Sequence, residues 1–285
     1  MEFRNPRVPD GINVSRHSPL YEFFLLGLGA LLLFAALGFA SLFLGSLLGR
    51  YAPVAWENAV AGVIIEGRLT KGRDGAEADS DSAALREELQ ALADRLAGQM
   101  ALPAGLTVKA HYLDSDEVNA FATVGGHIFI ARGLIERMPH ENALAMVVAH
   151  EIAHVAHRDP AAALGGVVLL EVLAALVTTS GSQVPEELIL GPNALLLSSF
   201  SREVEREADA AALEALAGLY GHVAEASTFF EAVLGLPQPP ELLSSHPLTQ
   251  ERIDEIGETA RERDWPLRGE TTPLTPALAR LVGGG

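Results

Sequence analysis

Residues 149–160 read AHEIAHVAHRDP, with three histidines and one glutamate between positions 150 and 157. On a helix, His150 and His154 stand one turn apart on the same face. Two imidazoles in that relation reach one zinc ion at about 2.0–2.1 Å. Glu151 lies one residue round from the first of them, beside the place of a metal-bound water. A carboxylate there takes that water's proton and passes it to a leaving amine. The surrounding run NALAMVVAHEIAHVAH is strongly apolar, which predicts a buried helix. Burying two imidazoles and a carboxylate there is costly unless they are paired or metal-bound. The segment therefore reads as a metal site rather than a core helix with incidental histidines. His157 shares the face but sits about 10 Å along the axis from His150, too far to complete one tetrahedron. It reads as structural or as a support behind the ligands.

The chain has no cysteine, so thiolate sites are excluded and any zinc must use histidine and carboxylate. A third ligand has to come from another element. SREVEREADAAALEALAGLYG predicts a strong helix with a glycine near its end. On it Glu205 and Asp209 are related by i and i+4 and share a face. A carboxylate at Glu205 would complete a two-histidine, one-glutamate site with an open water position. Asp209 could then accept a ring N–H from a ligand histidine and fix its tautomer. Spacing alone does not separate Glu205 from Glu203 and Glu207.

The elements that must hold these residues follow from composition. Of 285 residues 49% are hydrophobic, and the mean hydropathy is +0.23, which points to a membrane segment. It is found in Tyr21–Arg50, where Phe23 to Leu48 supplies more than the roughly 20 apolar residues a bilayer needs. The run is too long for the core of a signal peptide, about 7–15 residues. It is read as an anchor that meets the bilayer through residues 21–48. Arg4, Arg7 and Arg16 precede it, and Arg50 follows. Positive charge stays cytoplasmic, so the N-terminus is expected inside and the catalytic bulk in the periplasm, on a single-pass protein of a bacterial inner membrane. The net charge of −17 excludes nucleic acid as a partner.

The expected organisation is a tail (1–19), a transmembrane anchor (20–50), a linker with a strand over AVAGVIIEGRL (51–80), a catalytic domain (81–264) and an irregular tail (265–285). Within the domain, Leu85, Leu89, Leu92 and Leu96 mark a helix. LTVKAHYLD alternates like a strand, and VNAFATVGGHIFIARGL reads as a hairpin turning at Gly125-Gly126. The histidine helix starts at Pro139 and stops near Asp159-Pro160. Residues 161–181 are apolar but carry Glu171 at their centre, which disfavours a second span. They are read as a buried or membrane-skimming helix. Two more helices follow, joined by the proline-rich loop LPQPPELLSSHPL.

HEIAHVAHRD carries the H-E-x-x-H pattern of zinc metalloproteases. Followed by SREVEREAD, it resembles the HtpX-like zinc metallopeptidases, a family of membrane-anchored quality-control proteases, periplasmic protease-chaperones and CAAX prenyl endopeptidases. The second motif, S-R-x-x-E-x-x-A-D, falls on Ser201, Arg202, Glu205, Ala208 and Asp209. NAFATVGGHIFIARGLI and SHPLTQERI are similar to further blocks of that family. The resemblance covers about residues 105–256. It implies an α+β fold: a mainly helical zincin-type domain with a small β-sheet, preceded here by one transmembrane helix. It also implies one Zn2+ per subunit on His150, His154 and Glu205, with Glu151 as general base and then acid. Asp209 and Arg202 are expected to support the ligands. Protein or peptide substrates are implied, namely unfolded membrane or envelope proteins. His246 is expected to be an extra ligand of a closed resting state, a donor to the tetrahedral oxyanion, or only a brace for its loop. Residues 125–132 are expected to form a sheet edge that takes a peptide as an added strand. His127 within them reads as an ordinary strand histidine. A zinc-containing chaperone with little turnover is the alternative, and an intact Glu151 favours the enzyme.

Overall fold

Ser18 starts the first helix: its hydroxyl accepts from the Tyr21 N–H at 3.2 Å, and Pro19 takes the first helical position, where a missing N–H costs little. The computed structural model describes residues 18–72, 80–177, 201–234, 246 and 250–282. The N-terminal tail, residues 73–79 of the linker, the apolar stretch from 178 to 200 and the proline-rich loop around His246 lie outside the described residues. Helix α1 (Pro19–Tyr51) spans 33 residues, about 50 Å at 1.5 Å per residue. Its Phe23, Phe24, Leu26 and Phe39 are each at least 70% exposed. Apolar surface of that extent calls for lipid or a partner. Among the described residues it is the one helix long and apolar enough to cross a membrane.

Only Ala52 and Pro53 separate α1 from α2 (Val54–Gly72). The strand expected over AVAGVIIEGRL is therefore a helix. Three β-branched residues in a row are a weak local preference, and tertiary context overrides it. That context is Glu57 on the first turn of α2. One carboxylate oxygen accepts the Gly125 N–H at 3.0 Å, and the other pairs with Arg158 at 2.8 Å.

Helix α3 (Ser80–Ala97) buries Leu85, Leu89, Leu92 and Leu96, each contributing roughly 1.5–3 kcal/mol. It lies on a three-stranded sheet of β1 (Lys109–Leu113), β2 (Ala120–Thr123) and β3 (His127–Ala131). Gly125 and Gly126, both at φ 77, make the turn between β2 and β3, a conformation glycine adopts without strain. The order is β1-β3-β2, with β1 parallel and β2 antiparallel to β3. Residues 125–132 thus form the centre of the sheet and not the edge expected of them. Every residue of β3 is buried, as an uninterrupted apolar strand between two neighbours should be. The outer side of β1 is covered by Gln90, which accepts from Ala110 N–H at 2.8 Å and donates to the Val108 carbonyl at 3.1 Å. The remaining edge is β2, on the side of the next long helix.

After the short α4 (Arg132–Ile135), helix α5 (Glu141–His157) is buried from Glu141 to Val155. Its start is held by the C-terminal segment. Glu141 N–H donates to the Thr272 carbonyl at 2.9 Å, and Asn142 accepts from Thr272 N–H at 2.7 Å. Residues of the expected irregular tail thus pack against α5 and, in part, are helical. Their helix α10 (Pro276–Val282) buries Ala277 and Leu278, and Glu88 accepts both of their N–H groups at 3.0 Å. Those N-terminal donors need an acceptor, and α3 supplies it.

Helix α5 ends where Arg158 turns left-handed (φ 61), and α6 (Asp159–Val177) runs back antiparallel to α1. The backbones meet at glycine: Gly45 faces Gly165 and Gly166, and Gly49 faces Ala161. A Cβ at either position of α1 would overlap the opposing backbone. The buried or membrane-skimming helix expected here is thus a helix laid along the anchor; the Glu171 side chain lies outside the described residues. Helices α7 (Arg202–Tyr220), α8 (Thr228–Leu234) and α9 (Gln250–Glu262) complete the domain. Ser201 caps α7 and Gly221 (φ 76) ends it.

Candidate metal centre

The buried face of α7 is Glu205, Ala208, Asp209, Ala212, Leu213 and Leu216. This resolves what spacing left open, because Glu203 and Glu207 are exposed and Glu205 is turned into the protein against α5. His150, His154, Glu205 and His246 each offer a donor atom to one cluster, with all four atoms within 4.8 Å of one another, and all four residues are buried. His150 Nε2 lies 3.1 Å from His154 Nε2, 3.3 Å from His246 Nδ1 and 3.5 Å from Glu205 Oε2. His154 Nε2 lies 3.6 Å, and His246 Nδ1 2.9 Å, from Glu205 Oε1. Ligands about 2.05 Å from a tetrahedral zinc sit about 3.3 Å from one another. The donor set is nitrogen and oxygen, which suits zinc.

Behind the donors stand two carboxylates. His150 Nδ1 is 2.9 Å from Asp209 Oδ1, and His154 Nδ1 is 3.0 Å from Asp159 Oδ2. Each contact fixes a ring tautomer with Nε2 turned to the cluster. Arg252 spans the α7 side. It donates to both oxygens of Asp209 at 2.9 Å and reaches Glu205 Oε2 at 2.7 Å. Arg202 does not join the site: it is 75% exposed and meets Glu251 at 3.4 Å. It is on the solvent side of the first turn of α7. Sequence reasoning missed Arg252 and the role of Asp159. The signal for the first was an arginine on the buried stripe of an amphipathic helix, with Ile256 and Ala260 one and two turns on.

Charge in the cluster is divided unevenly. Burial opposes charge on His150, but the carboxylates of Asp209 and Glu205 push its pKa up to about 10. Burial and the neighbouring His150 and His246 push His154 well below the ordinary imidazole range. Burial also works against the Glu205 carboxylate, yet hydrogen bonds from His150 and His246 hold it far below the usual range. Burial raises the Asp159 carboxyl to about 6, against the pull of Arg50.

Glu151 is fully buried, and neither carboxylate oxygen has a hydrogen-bond partner among the described residues. His246 Nε2 is 3.8 Å from Glu151 Oε1. An unsatisfied buried carboxylate costs several kcal/mol, so this one calls for a proton donor. The cavity beside it, walled by Val147, Phe229 and Phe230, measures about 10 Å3, room for about one water. A larger cavity of about 240 Å3 lies between α7 and α9, lined by Arg206, Glu255, Glu258 and Glu262. It carries none of the clustered donors. His157 lies outside the cluster, and so does His127, which pairs with His111 (2.7 Å) and Lys109 (3.3 Å) across the sheet.

A model of peptidase family M48 matches residues 83–260, more than half of the chain. The beta-barrel assembly-enhancing protease of Escherichia coli K12 is 27% identical over 185 residues, 60% of this chain and 38% of that protein. Its counterpart in Yersinia pestis is 27% identical over 189 residues, 61% of this chain and 38% of that protein. The mitochondrial metalloendopeptidase OMA1 of Bos taurus is 30% identical over 162 residues, 51% of this chain and 31% of that protein. This chain spans 31% to 38% of the length of these relatives.

Proposed function

We propose a function from one premise: this chain belongs to peptidase family M48. It is a membrane-anchored zinc endopeptidase that cuts misfolded membrane or envelope proteins. The observation that carries this reading is the buried four-donor cluster and, beside it, a buried carboxylate with no hydrogen-bond partner among the described residues. The residues fit zinc by donor type and by separation. His150 and His154 from α5 and Glu205 from α7 would hold the ion. Zinc bound there would polarise the scissile carbonyl and lower the pKa of a bound water. Glu151 takes the proton of the attacking water on a carboxylate oxygen and returns it to the leaving amine nitrogen. Asp209 and Asp159 hold the two rings. His246 sits against Glu205 at 2.9 Å, at the donor cluster. The edge at β2, beside α5, is where a substrate strand adds by backbone hydrogen bonds.

The length and exposure of α1 support the anchor. The excess of arginine before it supports a cytoplasmic N-terminus and a periplasmic catalytic domain in a bacterial inner membrane. A client-binding module without turnover would have no use for a buried base that has no hydrogen-bond partner among the described residues. The test is zinc content and casein cleavage of the full chain in lipid nanodiscs. Glu151→Gln should keep about one zinc and lose cleavage by about 10²–10⁴-fold. Normal cleavage by that variant, or a wild-type chain that takes up no metal, would overturn the reading.

A further inference from the structure

The carboxylate of Asp159 is 3% exposed and divides its two oxygens between two partners. Oδ2 meets His154 Nδ1 at 3.0 Å. Oδ1 accepts from Arg50 Nη2 at 2.9 Å. Arg50 stands one residue before the end of α1, so a chain of two contacts joins the apolar N-terminal helix to the ring of a metal-site histidine. We propose that Arg50 is a positioning residue for the metal centre: it holds Asp159 in the orientation that presents His154 Nε2 to the cluster, and thereby makes metal affinity depend on how α1 is seated. This rests on the reading of His150, His154 and Glu205 as ligands.

Two further observations support it. The first is register. Arg50 follows Gly49, whose backbone touches Ala161, two residues after Asp159. One turn earlier on α1, Gly45 touches Gly165. Helices in direct backbone contact cannot rotate or separate without moving the Arg50 side chain away from its target. The second is the position of Asp159 on the first turn of α6. The positive end of that helix favours the ionised carboxylate, and a fixed α6 start leaves the carboxylate little to do but turn between its partners. Without Arg50, the Oδ1 side of Asp159 has lost its cation and His154 is held by a carboxylate free to swing. Groups that directly hold a ligand histidine are worth about 10–100-fold in metal affinity. Arg50 acts one contact further out, so its removal belongs at or below the lower end of that range.

The experiment measures the zinc dissociation constant of the full chain in nanodiscs by chelator competition, with peptide turnover read in parallel. Arg50→Gln should weaken zinc binding about 3–10-fold, and Arg50→Lys, which keeps the charge, should recover most of it. In an Asp159→Asn background, Arg50→Gln should have little further effect, since the two act through one contact. Gly45→Ala, which pushes α1 off α6 with Arg50 intact, should weaken zinc in the wild-type background and not in Arg50→Gln. A wild-type chain that binds zinc, with Arg50→Gln binding it equally well, overturns the proposal alone. Independent effects in the double variant, or equal losses from Gly45→Ala with and without Arg50, also overturn it. A wild-type chain without zinc overturns the functional reading instead.

Discussion

The two histidines of α5 are backed by the same device, an aspartate on the ring nitrogen and an arginine on the aspartate, but the two copies are built in different places. His150 leans on Asp209 and Arg252, which belong to α7 and α9 inside the domain, and Arg252 is 5% exposed. His154 leans on Asp159 and Arg50, and the Arg50 side chain is 43% exposed at the end of the apolar helix α1. The internal copy also neutralises Glu205. The outer copy neutralises only Asp159. A buried arginine between two carboxylates is fixed by the cost of leaving either unpaired, whereas a half-exposed pair contributes little by itself. The first copy is therefore part of what folds the site, and the second is an adjustable support.

The largest way to break this contrast is Arg252→Gln. It takes the arginine away from two buried carboxylates, which costs about 3–5 kcal/mol, so a melting temperature roughly 10 °C lower is expected, with zinc lost to mild chelators. Arg50→Gln should move the melt by a degree or two at most; equal shifts would erase the distinction.

The two imidazoles should also answer pH with opposite signs once the metal is stripped. His150 is raised to about 10, so its support is complete below about 6.5 and fades as pH rises toward 10. His154 is lowered, so its support is complete above about 6.5 and fades as pH falls. Melting temperature of the chelated protein should accordingly decline on both sides of neutrality. Asp209→Asn should flatten the alkaline arm and leave the acid arm; a symmetric change would contradict the separation of the two copies. Smallest of all is the salt response. Raising ionic strength to 1 M shortens the screening length to about 3 Å. Zinc affinity of the wild type should fall about twofold through the exposed Arg50 pair, with no such loss in Arg50→Gln.

Much of the site was legible because it is local. Two histidines at i and i+4 with an adjacent acid need only one helix to be read, whereas Glu205 was separated from Glu203 and Glu207 by the resemblance and not by spacing. The supports were harder. Arg252 is 43 residues from Asp209, and nothing local pairs them. Its position on the buried stripe of α9 was the available sign. Arg50 was read as a topology charge at the end of an anchor, which gives no hint of the carboxylate 109 residues on. The fold was misread where a local pattern competed with tertiary contact. Val63, Ile64 and Ile65 read as a strand, but Glu57 ties that segment down as a helix. Within GGHIFIAR, residues His127–Ala131 form a strand as read, but strand order is invisible in a single sequence and places it between β1 and β2. The last residues lack periodicity because their task is to supply Thr272 to the start of α5.

Between the last residue of α1 and the first of α2 there are two residues, and one is proline. With α1 in a bilayer, that leaves the catalytic domain no leash. It is mounted like a fixed blade rather than tethered like a swinging one, with the α1–α6 seam as a second bolt. Its reach from the lipid surface is then set by the size of the domain itself.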